Sequence, residues 1–227
     1  MLKNKYNRTS AKNKGGKKMG IIAIRHGQSQ ISYQVREEGI STKPSNWKEI
    51  KELSEIRNKN TENSGLSIKG IAQINEVSSK LKNYKIDKIY ISPMKRVKES
   101  YKILKEKCNL LECKEDQRIN AIISGVLHGH VNEKSEEYVK KLPYEAINNK
   151  QFSYNYQTGE SQFRAVQRVY NFLDEIKKEW EEKNVLLVTH KSTLRIINTY
   201  FNELLNNEIY EFNPKNSEVL LYGKIFD

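Results

Sequence analysis

Two spacings of apolar residues organise this chain. Short apolar runs bounded by glycine, proline or charge occur at residues 21–24, 89–91, 185–189 and 218–222, and their length and β-branched content read as strands. Between them apolar side chains recur every three to four positions. Ile68, Ile71, Ile74 and Leu81 mark a helix over 67–81, and Met94, Val97, Tyr101 and Leu104 mark one over 93–104. The second starts at Ser92 as N-cap with Pro93 in the first helical position. Phe163, Val166, Val169, Tyr170, Leu173, Ile176 and Trp180 mark the longest helix, over 159–180, and a last one runs from His190 through Leu205. Residues 40–47 read as a loop leading into a short charged helix with Trp47 and Ile50 on one side. Strands alternating with helices predict a three-layer α/β/α sandwich around a mostly parallel sheet, with 218–222 as a closing edge strand.

Composition narrows the picture. A chain of 227 residues with 37% hydrophobic content can build one substantial core. Mean hydropathy of −0.79 and the lack of a long apolar run argue against a membrane span, and no secretory signal is visible. Cys108 and Cys113 therefore read as reduced thiols of a cytoplasmic protein. Residues 1–18 hold seven lysines and arginines and no acid, which predicts a disordered basic arm. Without it the net charge of +12 falls to +5 for a single domain over 19–227. The arm either touches nucleic acid or an anionic surface, or is an artefact of start-site choice, since Met19 directly precedes the first strand. From 130 to 158 the composition shifts to Lys, Glu, Asn and Tyr, with Tyr138, Tyr144, Phe152, Tyr154 and Tyr156 as the aromatic supply for packing or for a substrate.

The candidate chemistry lies where apolar runs stop. The first ends in Arg25-His26-Gly27-Gln28-Ser29 and the third in Thr189-His190, so both imidazoles fall at carboxyl ends of strands, where open α/β sheets bind ligands. Two such histidines meet if their strands are neighbours. Gly27 permits a sharp turn and a close backbone approach, and Ser29 supplies a hydroxyl or an N-cap. Lys95 and Arg96 occupy a first helical turn, where the helix dipole disfavours cations unless an anion sits there. A neutral imidazole is a nucleophile at neutral pH, and arginine forks neutralise the oxygens of an anion without a metal. No carboxylate or cysteine cluster has metal-ligand spacing, so no cofactor or metal is expected.

Arg25-His26-Gly27-Gln28-Ser29, the run from Gly65 to Gln73, Ser92-Pro93-Met94-Lys95-Arg96 with Ser100, Thr158-Gly159-Glu160-Ser161 and Val188-Thr189-His190 occur together in one order. In these motifs the chain resembles the histidine phosphatase superfamily, phosphoglycerate mutase-like branch. The resemblance implies a phosphohistidine on His26, with Arg25, Arg96 and His190 gripping the phosphoryl group. It also implies a cap insertion at about 130–158 over the phosphate pocket.

Three positions depart from the family pattern. Where the branch usually carries a proton-donating glutamate, this chain has Ala121, which carries no proton. His128 and Glu160 are the candidate substitutes; the alternative for His128 is a surface-loop histidine, and for Glu160 a residue that organises the site by hydrogen bonding or caps the helix that follows. Ser32 replaces a common asparagine, and Lys191 a common glycine, as an extra cation for the ligand or a solvated lysine. Ser29, Ser32, Glu160 and Lys191 form the expected phosphate- and substrate-binding set. The readings are a phosphatase acting on a small phosphorylated substrate, a phosphate-binding scaffold that has lost turnover, and, disfavoured by Ala121 and Lys191, a phosphoglycerate-type mutase.

Overall fold

The computed structural model describes residues 20–42, 44–57, 63–123, 125–141, 159–202 and 208–223. The expected basic arm, most of the expected cap with Tyr144, Phe152, Tyr154 and Tyr156, and residues 203–205 of the expected last helix lie outside these. Five strands form one sheet: β1 (Gly20–Arg25), β2 (Lys88–Ile91), β3 (Lys114–Glu115), β4 (Val185–Thr189) and β5 (Val219–Gly223), in the order β3-β2-β4-β1-β5. All pairings are parallel except β1 with β5, so the sheet is mostly parallel with one antiparallel edge. β1 and β4 are central neighbours, with Arg25 opposite Thr189.

Alternate residues of the strands serve opposite faces. Ile21, Ala23, Tyr90, Val185 and Leu187 pack on one side against α6 (Gln162–Glu175) and α8 (Lys191–Asn202), through Val169, Phe172, Leu173, Leu194 and Ile197. Ile22, Ile24, Ile89, Ile91, Leu186 and Val188 pack on the other against α3 (Ile68–Leu81) and α4 (Lys95–Cys108), through Ile74, Val77, Leu81, Val97, Tyr101 and Leu104. Each fully buried aliphatic or Phe side chain contributes roughly 1.5–3 kcal/mol, so these two cores hold the three layers together. No helix among the described residues is long and apolar enough to cross a membrane.

The remaining helices build a side unit. α1 (Gln30–Glu37) and α2 (Trp47–Arg57) pack together through Val35, Leu53 and Ile56. Ile50 of α2 then joins Val126, Leu127 and Val139, with Trp47 and Tyr138 packed against them, which brings in a 3₁₀ turn at Gly125–His128 and α5 (Ser135–Lys140). The described part of the stretch expected as a cap, residues 130–141, thus packs with residues far from it in sequence.

Three expectations are corrected. Ile68 and Ile71 are 89% and 43% exposed rather than core. Gly70 presses on the backbone of Gln28, which turns the face carrying Gly70, Ile74, Val77 and Leu81 inward. Ile68, about 200° round the helix from Gly70, then faces water. α4 begins at Lys95 with Met94 in the N-cap position and no side-chain cap; Ser92 lies before the helix, where its hydroxyl accepts from the Met94 amide and contacts Asn120 and His190. The helix expected over 159–180 is capped by Ser161 and breaks at Ile176 into α6 and α7 (Lys177–Glu182), leaving Phe163 half exposed. Ser29, expected to supply a hydroxyl or an N-cap, caps α1.

Candidate active site

The nucleophile candidate sits one residue past β1. The His26 amide donates to the carbonyl of Thr189 on β4 at 3.0 Å, and its ring Nδ1 lies 2.6 Å from the Gly27 carbonyl. A carbonyl only accepts, so the proton is on Nδ1 and the lone pair on Nε2. Arg96 of α4 directs its Nε–H at that lone pair over 3.3 Å. The turn after His26 is held from α3 and α4: Gly27 N–H donates to Ser100 Oγ at 3.2 Å, and Gln28 N–H to Gln73 Oε1 at 2.9 Å. Gly27 was expected to make room for a ligand; its neighbour here is Gly70, whose carbonyl oxygen would stand 2.3 Å from a Cβ placed on Gly27. The two glycines let helix and loop touch backbone to backbone.

His190 follows β4, and its ring centroid lies 5.0 Å from that of His26 at an interplanar angle of 65°. Its Nδ1 is 3.4 Å from Arg96 Nη2, and its Nε2 is 2.8 Å from Ser92 Oγ. His26, Arg96 and His190 are all buried, at 6%, 6% and 2% exposure. Burial holds both imidazoles well below the ordinary histidine value, and the neighbouring Arg96 pushes the same way. Both rings are therefore neutral at pH 7, as a nucleophile requires.

Arg25 lies beside this group and donates from Nη1 to the Pro214 carbonyl at 2.8 Å, while its Nε is buried without a partner. Burial lowers its guanidinium to about 10, helped by Arg36, Arg195 and Arg96. A buried orphan donor amid several cations suits an anionic guest. The loop before β5 closes on the same strand end: Asn216 Nδ2 donates to the His26 carbonyl at 3.0 Å and the Ser217 amide to the Arg25 carbonyl at 3.0 Å.

The other expected site residues are placed less directly. The Ser29 hydroxyl accepts from the Ser32 amide and donates to the Ser32 hydroxyl at 2.9 Å, so this pair starts α1. Lys191 opens α8 and is half-buried. Glu160 precedes the capping Ser161, and both its oxygens are gripped by Arg168, at 3.0 Å from Nε and 2.5 Å from Nη2. The cap of α6 is Ser161, and Glu160 instead ties the segment before it to Arg168. Arg168 also reaches the carbonyls of Arg118 and Ala121, at 2.5 and 3.4 Å, and so fixes the loop where the glutamate was expected. The His128 side chain lies outside the described groups. No cluster of metal-ligating side chains occurs among the described residues.

Sequence reasoning missed Asn120, Arg168, Asn216 and the role of Ser92. Ser92 stood inside a quoted motif and was read as a helix cap; the other three carry polar groups in loops or on helix faces that no periodicity marks.

Comparison with known proteins shows the family and the fold. The pattern of the histidine phosphatase superfamily (branch 1) matches residues 21–222. Phosphoserine phosphatase 1 of Hydrogenobacter thermophilus is 31% identical over 133 residues, which cover 57% of this chain and 61% of that protein. The chain thus aligns with about three fifths of that relative's length. The alpha-ribazole phosphatase of Shigella flexneri superposes with a TM-score of 0.67 at 16% identity, covering 90% of this chain and 93% of that one. A mycobacterial glucosyl-3-phosphoglycerate phosphatase superposes with a TM-score of 0.64 at 16% identity, covering 89% of each chain.

Proposed function

We propose, for a chain that belongs to the histidine phosphatase superfamily, that it hydrolyses a small phosphorylated substrate through a phosphohistidine on His26. The observation that carries this reading is the Nε2 lone pair of a buried, neutral His26, held in that tautomer by Gly27 and facing Arg96 and His190. His26 Nε2 attacks phosphorus, the bond to the leaving oxygen breaks, and that oxygen keeps the electron pair. Arg96 turns from the lone pair to the phosphoryl oxygens, joined by Arg25 and His190, and their fixed charges offset the charge that builds there. Water then attacks phosphorus, the P–N bond breaks with its electrons returning to Nε2, and inorganic phosphate leaves.

Ala121 narrows the substrate. Without a carboxylic acid opposite the nucleophile, the leaving oxygen departs unaided, so the preferred substrate has a weakly basic leaving group such as an aryl or acyl oxygen. Phosphatase neighbours of the same fold support hydrolysis over isomerisation.

The test compares para-nitrophenyl phosphate, a simple alkyl phosphate and 3-phosphoglycerate. The aryl ester should turn over, the alkyl ester should lag by roughly 10²-fold or more in kcat/KM, and His26→Ala should abolish both. An acid-labile, base-stable phosphoenzyme should form in the parent and be lost in the variant. Ala121 also favours a second reading, a phosphate-binding protein without turnover. Phosphate binding with neither hydrolysis nor a phosphoenzyme would establish that reading instead, and conversion of 3-phosphoglycerate to its isomer would mark a mutase.

A further inference from the structure

The hydrogen bonds around His190 can be assigned one proton at a time. Arg96 Nη2 is only a donor, so the His190 Nδ1 it faces at 3.4 Å accepts, and the ring proton is on Nε2. Nε2–H then donates to Ser92 Oγ at 2.8 Å, and the Met94 amide donates to the same oxygen at 3.3 Å. With both lone pairs used, the one hydroxyl proton of Ser92 goes to Asn120 Oδ1, 2.6 Å away. Asn120 is thus the acceptor that terminates a relay running Nε2–H to Oγ–H to Oδ1.

Asn120 is also tied to the segment that carries His190. Thr189 Oγ1 donates to the Ile119 carbonyl at 2.6 Å, Thr193 Oγ1 to the Asn120 carbonyl at 2.8 Å, and the Ile122 amide to Ser192 Oγ at 3.0 Å. Three hydroxyls spanning residues 189–193 therefore grip residues 119–122.

We propose that Asn120 is a positioning residue: through Ser92 it fixes His190 in the tautomer that turns a bare Nδ1 toward the anion site, ready to take a proton when a phosphoryl group arrives. The charged and titratable groups facing His190 from its neighbours are Arg96 of α4, His26 and Arg25 at the end of β1, and Arg168 of α6. None is an anion, so the imidazolium forms only with a bound anion on one side and the oxygens of Ser92 and Asn120 on the other. This inference rests on the phosphatase reading for its use in turnover, but the tautomer itself does not.

The experiment reads ¹⁵N chemical shifts of His190 in the whole protein, with and without inorganic phosphate. In the parent, Nε2 should be pyrrole-type and Nδ1 pyridine-type, and phosphate should raise the pKa of the ring. Asn120→Ala releases the Ser92 hydroxyl to donate to Nε2, so the tautomers should mix and the phosphate-induced rise should shrink by about one unit, tenfold in proton affinity. Asn120→Asp retains an acceptor of similar shape, so it should keep the tautomer and raise the pKa above the parent's. With para-nitrophenyl phosphate, Asn120→Ala should lower kcat about tenfold with KM within about threefold, and Asn120→Asp should move the basic limb of the profile upward. Tautomer populations and phosphate response unchanged in both variants would overturn the proposal. A parent protein without turnover would sink the phosphatase reading, and the shifts would still decide the role of Asn120.

Discussion

Placing a carboxylic acid at Ala121, where the family resemblance puts the proton donor, is the most direct probe of the proposed function. Ala121→Glu places a carboxyl in a loop already braced by Arg168, whose Nη2 reaches the Ala121 carbonyl at 3.4 Å, and by Ser192, which accepts from the Ile122 amide. Arg168 is paired to Glu160 through two hydrogen bonds, so its charge is already balanced and does not hold the introduced carboxyl ionised. Ala121 is itself half-buried, so a carboxyl there is partly desolvated, which favours its protonated, donating form. General acid catalysis supplies roughly 10²- to 10⁴-fold, and an introduced donor lacking its own positioning contacts should reach the lower end. A hundredfold gain corresponds to about 2.7 kcal/mol of barrier. Since the acid assists only a basic leaving oxygen, kcat/KM for an alkyl phosphate should rise about 10²-fold while that for para-nitrophenyl phosphate changes by less than about threefold. Steady-state kinetics on both esters, with Ala121→Gln as the control that cannot donate, measures the difference. Equal gains on both esters, or a gain with glutamine, would refute the assignment of Ala121 to the acid position.

Two further outcomes follow from burial and packing. His26 and His190 have folded-state pKa values well below the unfolded value, so the unfolded chain binds more protons as pH falls below about 6.5 and stability is lost there. Urea denaturation should give a constant stability above about pH 7.5 and a decline below 6.5 of up to about 1.4 kcal/mol per pH unit for each histidine; His190→Asn should shallow the slope, and an unchanged slope would contradict the buried neutral state. Gly27→Ala puts a Cβ 2.3 Å from the Gly70 carbonyl oxygen, a backbone atom that cannot swing aside. It should cost about 1–3 kcal/mol in thermal or chemical denaturation and displace the His26 turn enough to remove turnover.

What was legible in the sequence was carried by repetition and by sharp ends. The apolar runs of β1, β2 and β4 are buried on both faces, so nearly every residue reports its strand, and each stops where the polar chemistry begins. His26, His190 and Arg96 were visible for that reason, and the structure brings them together. The rotation of α3 was not legible, because it is set by two glycines in contact across the fold, and glycine carries no hydropathy signal. The break at Ile176 was hidden because apolar spacing continues through it in Trp180, which packs on the same core. Asn120 and Arg168 act through single oriented hydrogen bonds, and no residue spacing encodes an orientation.

The clasp on β1 has a consequence in time. Arg25 and His26 emerge early in synthesis, yet the groups that fasten the Arg25 side chain, at Pro214, and the backbone of both residues, at Asn216 and Ser217, lie about 190 positions downstream. Contacts so distant along the chain close late in folding. A growing polypeptide on the ribosome therefore carries its nucleophile for most of translation without the buttress that aims it, and a product terminated before that loop should lack phosphoryl chemistry even with both histidines present.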